Sequence, residues 1–217
     1  SGVRLVTYRL EGGYFTSPRW GCSFRKGKLT GHLVRVYEPE ELKKMKPSEI
    51  QECIERDLYV DAYADQKDEP VRFKGKDIAL GLESAIFCCP SCGRLDGFRS
   101  HEDILECECG YKLKYEETGF LKDVDYNTYT VTQLDTMQKE KLKKLTDELG
   151  DSRDVIFSDR MTVQLIGDSH EVINEFEGTL AASPSGFMFN DKFFTADEIE
   201  GMAIHSRNTI TVHMAES

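Results

Sequence analysis

Five of the seven cysteines in this 217-residue chain fall between Cys88 and Cys109. Four of them form two close pairs, Cys89-x2-Cys92 and Cys107-x-Cys109, with fourteen residues between the pairs. Two pairs of thiolates suit a tetrahedral Zn²⁺, which takes four soft or borderline ligands at about 2.3 Å for sulfur. Gly93 and Gly110 directly follow the pairs, where tight turns aim backbone amides at sulfur and demand dihedrals that glycine adopts freely. The stretch therefore reads as a zinc ribbon with Cys89, Cys92, Cys107 and Cys109 as metal ligands and a structural Zn²⁺ as the cofactor. The Cys107-x-Cys109 half is one residue shorter than the usual spacing. Cys88 can replace a neighbour in principle, but it falls on the strand side of the turn.

Three other chemistries use similar cysteines. A redox C-x-x-C normally opens a helix in a βαβ unit, and no such unit is readable here. An iron–sulfur cluster also takes four thiolates, although paired tight turns joined by a short hairpin favour zinc. Catalytic zinc keeps an open position and usually has His or carboxylate ligands, whereas four thiolates close the shell. His101, in the intervening loop, reads as a solvated side chain. The site is expected to be scaffold.

Other chemistry is sparse, and no catalytic residue is assigned. None of the five histidines, His32, His101, His170, His205 and His213, opens an H-x4-D pair. No G-x-S-x-G, P-loop or H-E-x-x-H occurs. Phe176-Glu177-Gly178-Thr179 resembles a phosphate-binding block but lies among short strand-like segments, so a turn and a strand start are expected there.

The elements that position these residues follow from periodicity and punctuation. "VRLVTYRL" (3–10) alternates as a strand, and one this early usually joins a sheet with other strands. "HLVRVYE" (32–38) is a second strand. Pro39 opens a short helix, "PEELKKM". Ser48-x-x-Gln51 resembles a capping box for another, whose apolar face (Ile50, Cys53, Ile54, Leu58) carries one polar member, Asp57. Cys53 on that face reads as core. Residues 65–77 read as a polar linker, and "IALGLESAIF" as a short helix or strand. "YKLKYEETGFL" alternates, with a turn near Gly119. Residues 131–150 form the clearest helix, with a Leu134, Met137, Leu142, Leu145, Leu149 stripe and Gly150 as its stop. Short alternating segments over 154–214 predict a small antiparallel sandwich or barrel.

Net charge is −11, but residues 1–50 carry +5, which leaves −16 for residues 51–217. An acidic body disfavours nucleic acid as a partner, so an anionic ligand is expected to meet the first fifty residues. No run of eighteen apolar residues and no leader is present, so the expected location is the cytoplasm, where clustered thiols hold metal.

"VRLVTYRLEGGYFTSPRW" followed by "RKGKLTGHLVRVYEPEELKKMKPSEI" resembles the later part of bacterial lysophospholipid (1-acyl-glycerol-3-phosphate) acyltransferases. The likeness continues through "LYVDAYADQ", "CPSCG", "MQKEKLKKL" and "GMAIHSRN", covering nearly the whole chain, in a subgroup with a zinc-ribbon extension. The resemblance implies phospholipid biosynthesis: acyl transfer from coenzyme A or acyl carrier protein to lysophosphatidate. In that family a His–Asp dyad activates the acceptor hydroxyl, and a later block grips the glycerol phosphate. Both would precede Ser1, so this chain is expected to be inactive alone, with an upstream acyltransferase domain as its partner. "VTYRLEGG" also lacks the proline common in the family's final block.

The resemblance further places Arg19, Trp20, Arg25, Lys26 and Lys28 near substrate or the membrane. Aromatics interleaved with cations suit a lipid headgroup interface, peripheral to the inner face of an anionic membrane. The expected fold is α+β. It comprises final acyltransferase strands (1–38), a helical connector (39–87), the zinc ribbon (88–120), a helix (121–150) and a small antiparallel β domain (151–217). The alternative function is a non-enzymatic zinc-ribbon adaptor that binds protein or lipid through its C-terminal sheet.

Overall fold

The structure, a computed structural model, describes residues 2–67, 70–167, 169–206 and 209–215. It is a mixed α+β architecture of short helices and small antiparallel sheets. The chain divides into two compact units, Ser1–Ile86 with Phe98–Leu134 and Phe87–Gly97 with Asp135–Ser217.

In the first unit, β1 (Leu5–Glu11) pairs antiparallel with β2 (Thr30–Tyr37) as a two-stranded sheet. The register skips Val34, so that Thr7 faces Arg35 while the next residue, Tyr8, faces Leu33. Such a bulge changes the side on which the following side chains emerge. Val36 beside Val6 and Leu33 beside Tyr8 consequently share one face, with Leu10, and that face is exposed. Thr7 and Tyr37 on the opposite face are buried. The pattern inverts the usual one: this ribbon turns polar groups toward its own unit and apolar ones away from it.

A one-turn helix, α1 (Gly13–Thr16), follows β1 and buries Phe15. After β2 come α2 (Pro39–Leu42), α3 (Pro47–Leu58) and α4 (Ala62–Asp65). Helix α3 begins at Pro47, and the backbone N–H of Lys46 donates to the Glu49 carboxylate at 2.6 Å. The cap is thus set two residues earlier than the Ser48 pattern suggests. Asp57 is the polar member of the α3 face, and it is buried because the ribbon offers it donors. Tyr37 OH and Thr7 Oγ1 donate to Asp57 Oδ2 at 2.6 and 2.9 Å, and Arg56 donates to Oδ1. Cys53 lies beside the same network and helps to raise the Tyr37 phenol. The Tyr37 hydrogen bond leads in holding the Asp57 carboxyl below the ordinary carboxylate range. Burial, then the Asp57 bond, pushes the Tyr37 phenol up to about 12.

The 65–77 segment is not a linker where it is described; Asp68 and Glu69 lie outside the described residues. Gln66 is buried, with its amide bonded to Val71 and Thr118, and Phe73 is buried against Phe15. "IALGLESAIF" forms turns with one 3-10 turn, Leu82–Ser84, and places Ile78, Ala79, Leu82 and Ile86 in the core. A five-stranded antiparallel meander follows: β3 (Phe98–His101), β4 (Ile104–Cys107), β5 (Lys112–Tyr115), β6 (Leu121–Lys122) and β7 (Thr128–Tyr129). Phe98, Leu105, Cys107, Leu113, Tyr115 and Leu121 are its buried side chains.

Helix α5 (Val131–Leu149) matches the sequence reading, and Gly150 ends it with φ +56°. In the second unit, β8 (Phe157–Ile166), β9 (Val172–Ser183), β10 (Gly186–Phe189) and β11 (Lys192–Thr195) form a meander in the order β11-β10-β9-β8. A separate hairpin joins β12 (Ile199–Ser206) to β13 (Thr209–Met214). Of the expected sandwich or barrel, the antiparallel strands form, as a four-stranded sheet and a separate hairpin, and among the described residues the sheet does not close into a barrel. The Phe176–Thr179 block lies inside β9 rather than at a turn. There the Asn190 side chain fills the space a Gly178 Cβ would need, and its Oδ1 accepts from Thr179 N–H.

Candidate metal centre

Two knuckles carry the cysteines. In the first, Gly93 N–H donates to the Cys89 carbonyl at 2.8 Å and Cys89 N–H to the Arg94 carbonyl at 3.0 Å. In the second, Gly110 N–H donates to the Cys107 carbonyl and Cys107 N–H to the Tyr111 carbonyl, both at 2.8 Å. Each turn closes through a glycine in the left-handed region, Gly93 at φ +75° and Gly110 at φ +89°. That conformation is costly for any residue with a Cβ.

The sulfurs of Cys89, Cys92, Cys107 and Cys109 all lie within 4.8 Å of one another. A tetrahedron of Zn–S bonds near 2.3 Å has sulfur–sulfur edges of about 3.8 Å, so the four ligands need only a small inward adjustment. One cysteine of each pair, Cys89 and Cys107, is buried, while Cys92 and Cys109 are exposed. The arrangement can hold a metal ion through four thiolates, and it offers no fifth protein ligand among the described residues.

No family model, curated protein or solved structure matches this chain. Its reading rests on its own residues.

Helix α5 supports the first knuckle through two side chains that the sequence reading passed over. Gln138 is buried, and its Oε1 accepts from the backbone N–H groups of Phe87 and Cys88 at 3.0 and 3.4 Å. Its Nε2 donates to Asp135 at 3.0 Å, which orients the amide. Lys141 reaches over Gly93, where any Cβ would collide with its ammonium group. Four thiolates with a divalent ion carry two negative charges, and a cation beside them offsets part of that excess. A polar residue on the apolar side of α5, three residues before a lysine, was the available signal.

Cys88 is a separate case. Its backbone pairs with Leu95. Its sulfur lies 3.7 Å from the Gly93 carbonyl, and burial pushes its thiol pKa up. The protonated thiol is a packing group and a weak donor.

The structure separates the five residues expected at a substrate or membrane surface. Arg19, Lys26 and Lys28 are exposed. Trp20 and Arg25 are not: they are only 6% and 3% exposed. The Arg25 guanidinium lies 4.7 Å from both the Trp20 and the Tyr115 ring, which meet edge to face at 5.2 Å, and it donates to Tyr115 OH and the Ile78 carbonyl. A buried cation needs such partners, and these correct the surface assignment for both residues.

Among the histidines, His32 lies 3.6 Å from Glu11 on the exposed ribbon, and His101 and His213 are exposed. The side chain of His205 lies outside the described residues, as do Arg207 and Asn208 of the "GMAIHSRN" stretch. No helix among the described residues is long and apolar enough to cross a membrane.

Proposed function

We propose that this chain is a zinc-stapled, non-catalytic region of a lysophospholipid acyltransferase, and that the β1–β2 ribbon is where the acyltransferase domain docks. The observation that carries the reading is the inverted ribbon. Val6, Tyr8, Leu10 and Leu33 are each more than half exposed, while Thr7 and Arg9 bond to Asp57 of α3. Contiguous apolar surface of this kind marks an interaction site. The sequence resemblance supplies the occupant, since the matching segment in that family belongs to the last strands of the catalytic domain. In this reading the tetrathiolate centre holds the knuckles in shape and takes no part in acyl transfer.

The test is the reading frame that encodes this chain. The expected gene product carries an H-x4-D block upstream and acylates lysophosphatidate from acyl-coenzyme A or acyl carrier protein. In that product, Tyr8→Lys with Leu10→Lys lowers activity at least about tenfold, because charge enters a packed interface. A frame with no such block within a domain length overturns the acyltransferase reading.

A second reading has its own observation. On the β8–β9 ribbon, Phe157, Leu165 and Phe176 share one face by register and each is nearly half exposed or more. That face suits an adaptor that binds a protein partner through its sheet. Pull-down of the same partner by wild type and by a Leu165→Lys/Phe176→Lys variant would exclude this face.

A further inference from the structure

The first unit contains a feature that neither the ribbon nor the metal centre explains. Two short stretches, Phe24-Arg25-Lys26-Gly27-Lys28 and Arg72-Phe73-Lys74-Gly75-Lys76, each carry Lys-Gly-Lys. They lie antiparallel, with Lys26 and Lys74 exchanging both backbone hydrogen bonds at 2.7 and 2.9 Å. Extending that register sets Phe24 near Lys76 and Lys28 near Arg72. Side chains alternate between faces of an extended pair, so the even-numbered residues share one side and the odd-numbered ones the other.

Burial follows this alternation. Arg25 and Phe73 point inward and are buried, while Gly27 and Gly75 are themselves exposed. A Cβ on Gly27 would strike the Phe73 ring, and one on Gly75 would crowd Ile78 and Arg25. On the other side, Phe24, Lys26, Lys28, Arg72, Lys74 and Lys76 are all exposed. Phe24 is 81% exposed, and Leu29 next to the patch is 55% exposed. Arg72 has Glu117 at 3.9 Å, whereas among the described residues none of Lys26, Lys28, Lys74 and Lys76 has an acidic partner within 4.0 Å. Unpaired lysines gathered on one face of a chain with net charge −11 are a local reversal of its field.

We infer that this paired Lys-Gly-Lys face is a docking surface for an anionic phospholipid bilayer, with Phe24 as its apolar insertion. The lysines meet headgroups, each contributing to attraction toward a negatively charged leaflet. The Phe24 ring, held out among the cations, enters the boundary between headgroups and acyl chains. A single aromatic with an aliphatic neighbour fits a lipid boundary better than single-stranded nucleic acid, which is held by several stacking rings along a track. The inference does not depend on the acyltransferase reading, since it rests on the face itself.

The experiment is vesicle flotation with the purified chain, comparing phosphatidylglycerol-rich with pure phosphatidylcholine vesicles and repeating the former at high salt. Binding is expected only to the anionic vesicles and is lost as salt screens it. Lys26→Gln and Lys74→Gln are each expected to weaken binding about fivefold, while Lys26→Arg and Lys74→Arg bind as wild type. Phe24→Ala is expected to weaken it about tenfold. These side chains are exposed, and an unchanged thermal melt confirms that the variants fold. Equal binding to both vesicle types, no binding to either, or glutamine variants that bind as wild type would overturn the inference. So would tighter binding of a single-stranded oligonucleotide by the same four lysines.

Discussion

Replacing Arg25 tests the reassignment of the Trp20–Arg25 segment from surface to core. In Arg25→Ala, the two ring contacts at 4.7 Å are lost, at about 1 kcal/mol each. The Ile78 carbonyl and the Tyr115 hydroxyl lose a charged donor, at about 1–3 kcal/mol for each buried group left without a partner. Part of this is returned, because removing a buried cation also removes its desolvation cost. Arg25 Nε is itself buried without a partner, which makes that return larger. The expected net loss is about 3 kcal/mol. Trp20 is the only tryptophan in the chain and lies against the guanidinium, so its fluorescence reports the packing directly. With a urea slope of about 2 kcal/mol/M, the midpoint should fall by about 1.5 M. Arg25→Lys should recover less than half, because an ammonium cannot bond both partners while keeping contact with both rings. A midpoint unchanged in Arg25→Ala, together with lost vesicle binding, would refute the buried cation–ring cluster and return Arg25 to the surface.

Three further outcomes follow from the geometry. Elemental analysis should find zinc bound to the purified chain, with Cys89→Ser and Cys107→Ser releasing it; iron with visible absorbance would refute the assignment. Gln138→Leu should lower zinc affinity roughly tenfold or more and cost about 2 kcal/mol, because two backbone N–H groups next to the first knuckle lose their acceptor; a competition titration with a chelator reads the former. The Asp57 carboxyl is depressed in the folded chain, so the stability it contributes is present above its ordinary value of 3.8 and lost as pH falls through the lower folded value. The Tyr37 phenol, raised to about 12, contributes stability that is present below its ordinary value of 10.0 and lost as pH rises toward 12. Stability profiles of Asp57→Asn and Tyr37→Phe should flatten the acid and alkaline limbs respectively, and an unaltered limb would show that the group does not titrate as described.

What could be read from the sequence was local. The cysteine spacing with its glycines, and the α5 stripe ending at Gly150, are set by neighbours within a turn or two, and both elements form where expected. The unread parts depend on partners far along the chain. Aromatics beside cations describe a headgroup interface and a buried cation–π cluster equally well; Tyr115, ninety residues from Arg25, decides between them. The polar 65–77 segment looked like a linker because its partner strand around Lys26 lies more than forty residues upstream. Asp57 stood out as a polar break in an apolar face until Thr7 and Tyr37 supplied donors. In the C-terminal region, alternation specified strands without specifying whether the sheet closes.

The skipped residue in β2 has a consequence for how this chain tolerates change. Because Val34 has no opposite number in β1, the two halves of β2 are out of phase by one residue, and Leu33 and Val36 reach the same side only through that offset. Single substitutions on the outward face alter little within the unit. Pairing Val34 with Tyr8 in an unbroken ladder would exchange the sides of every residue between Thr30 and Leu33 relative to Arg35–Tyr37, whereas deleting Val34 would leave each side chain on its present face. With Val34 so paired, His32 would be carried outward and Leu33 inward against the polar network. Among descendants of this gene, loss of Val34 should therefore be tolerated, and a change of length elsewhere in β2 rare.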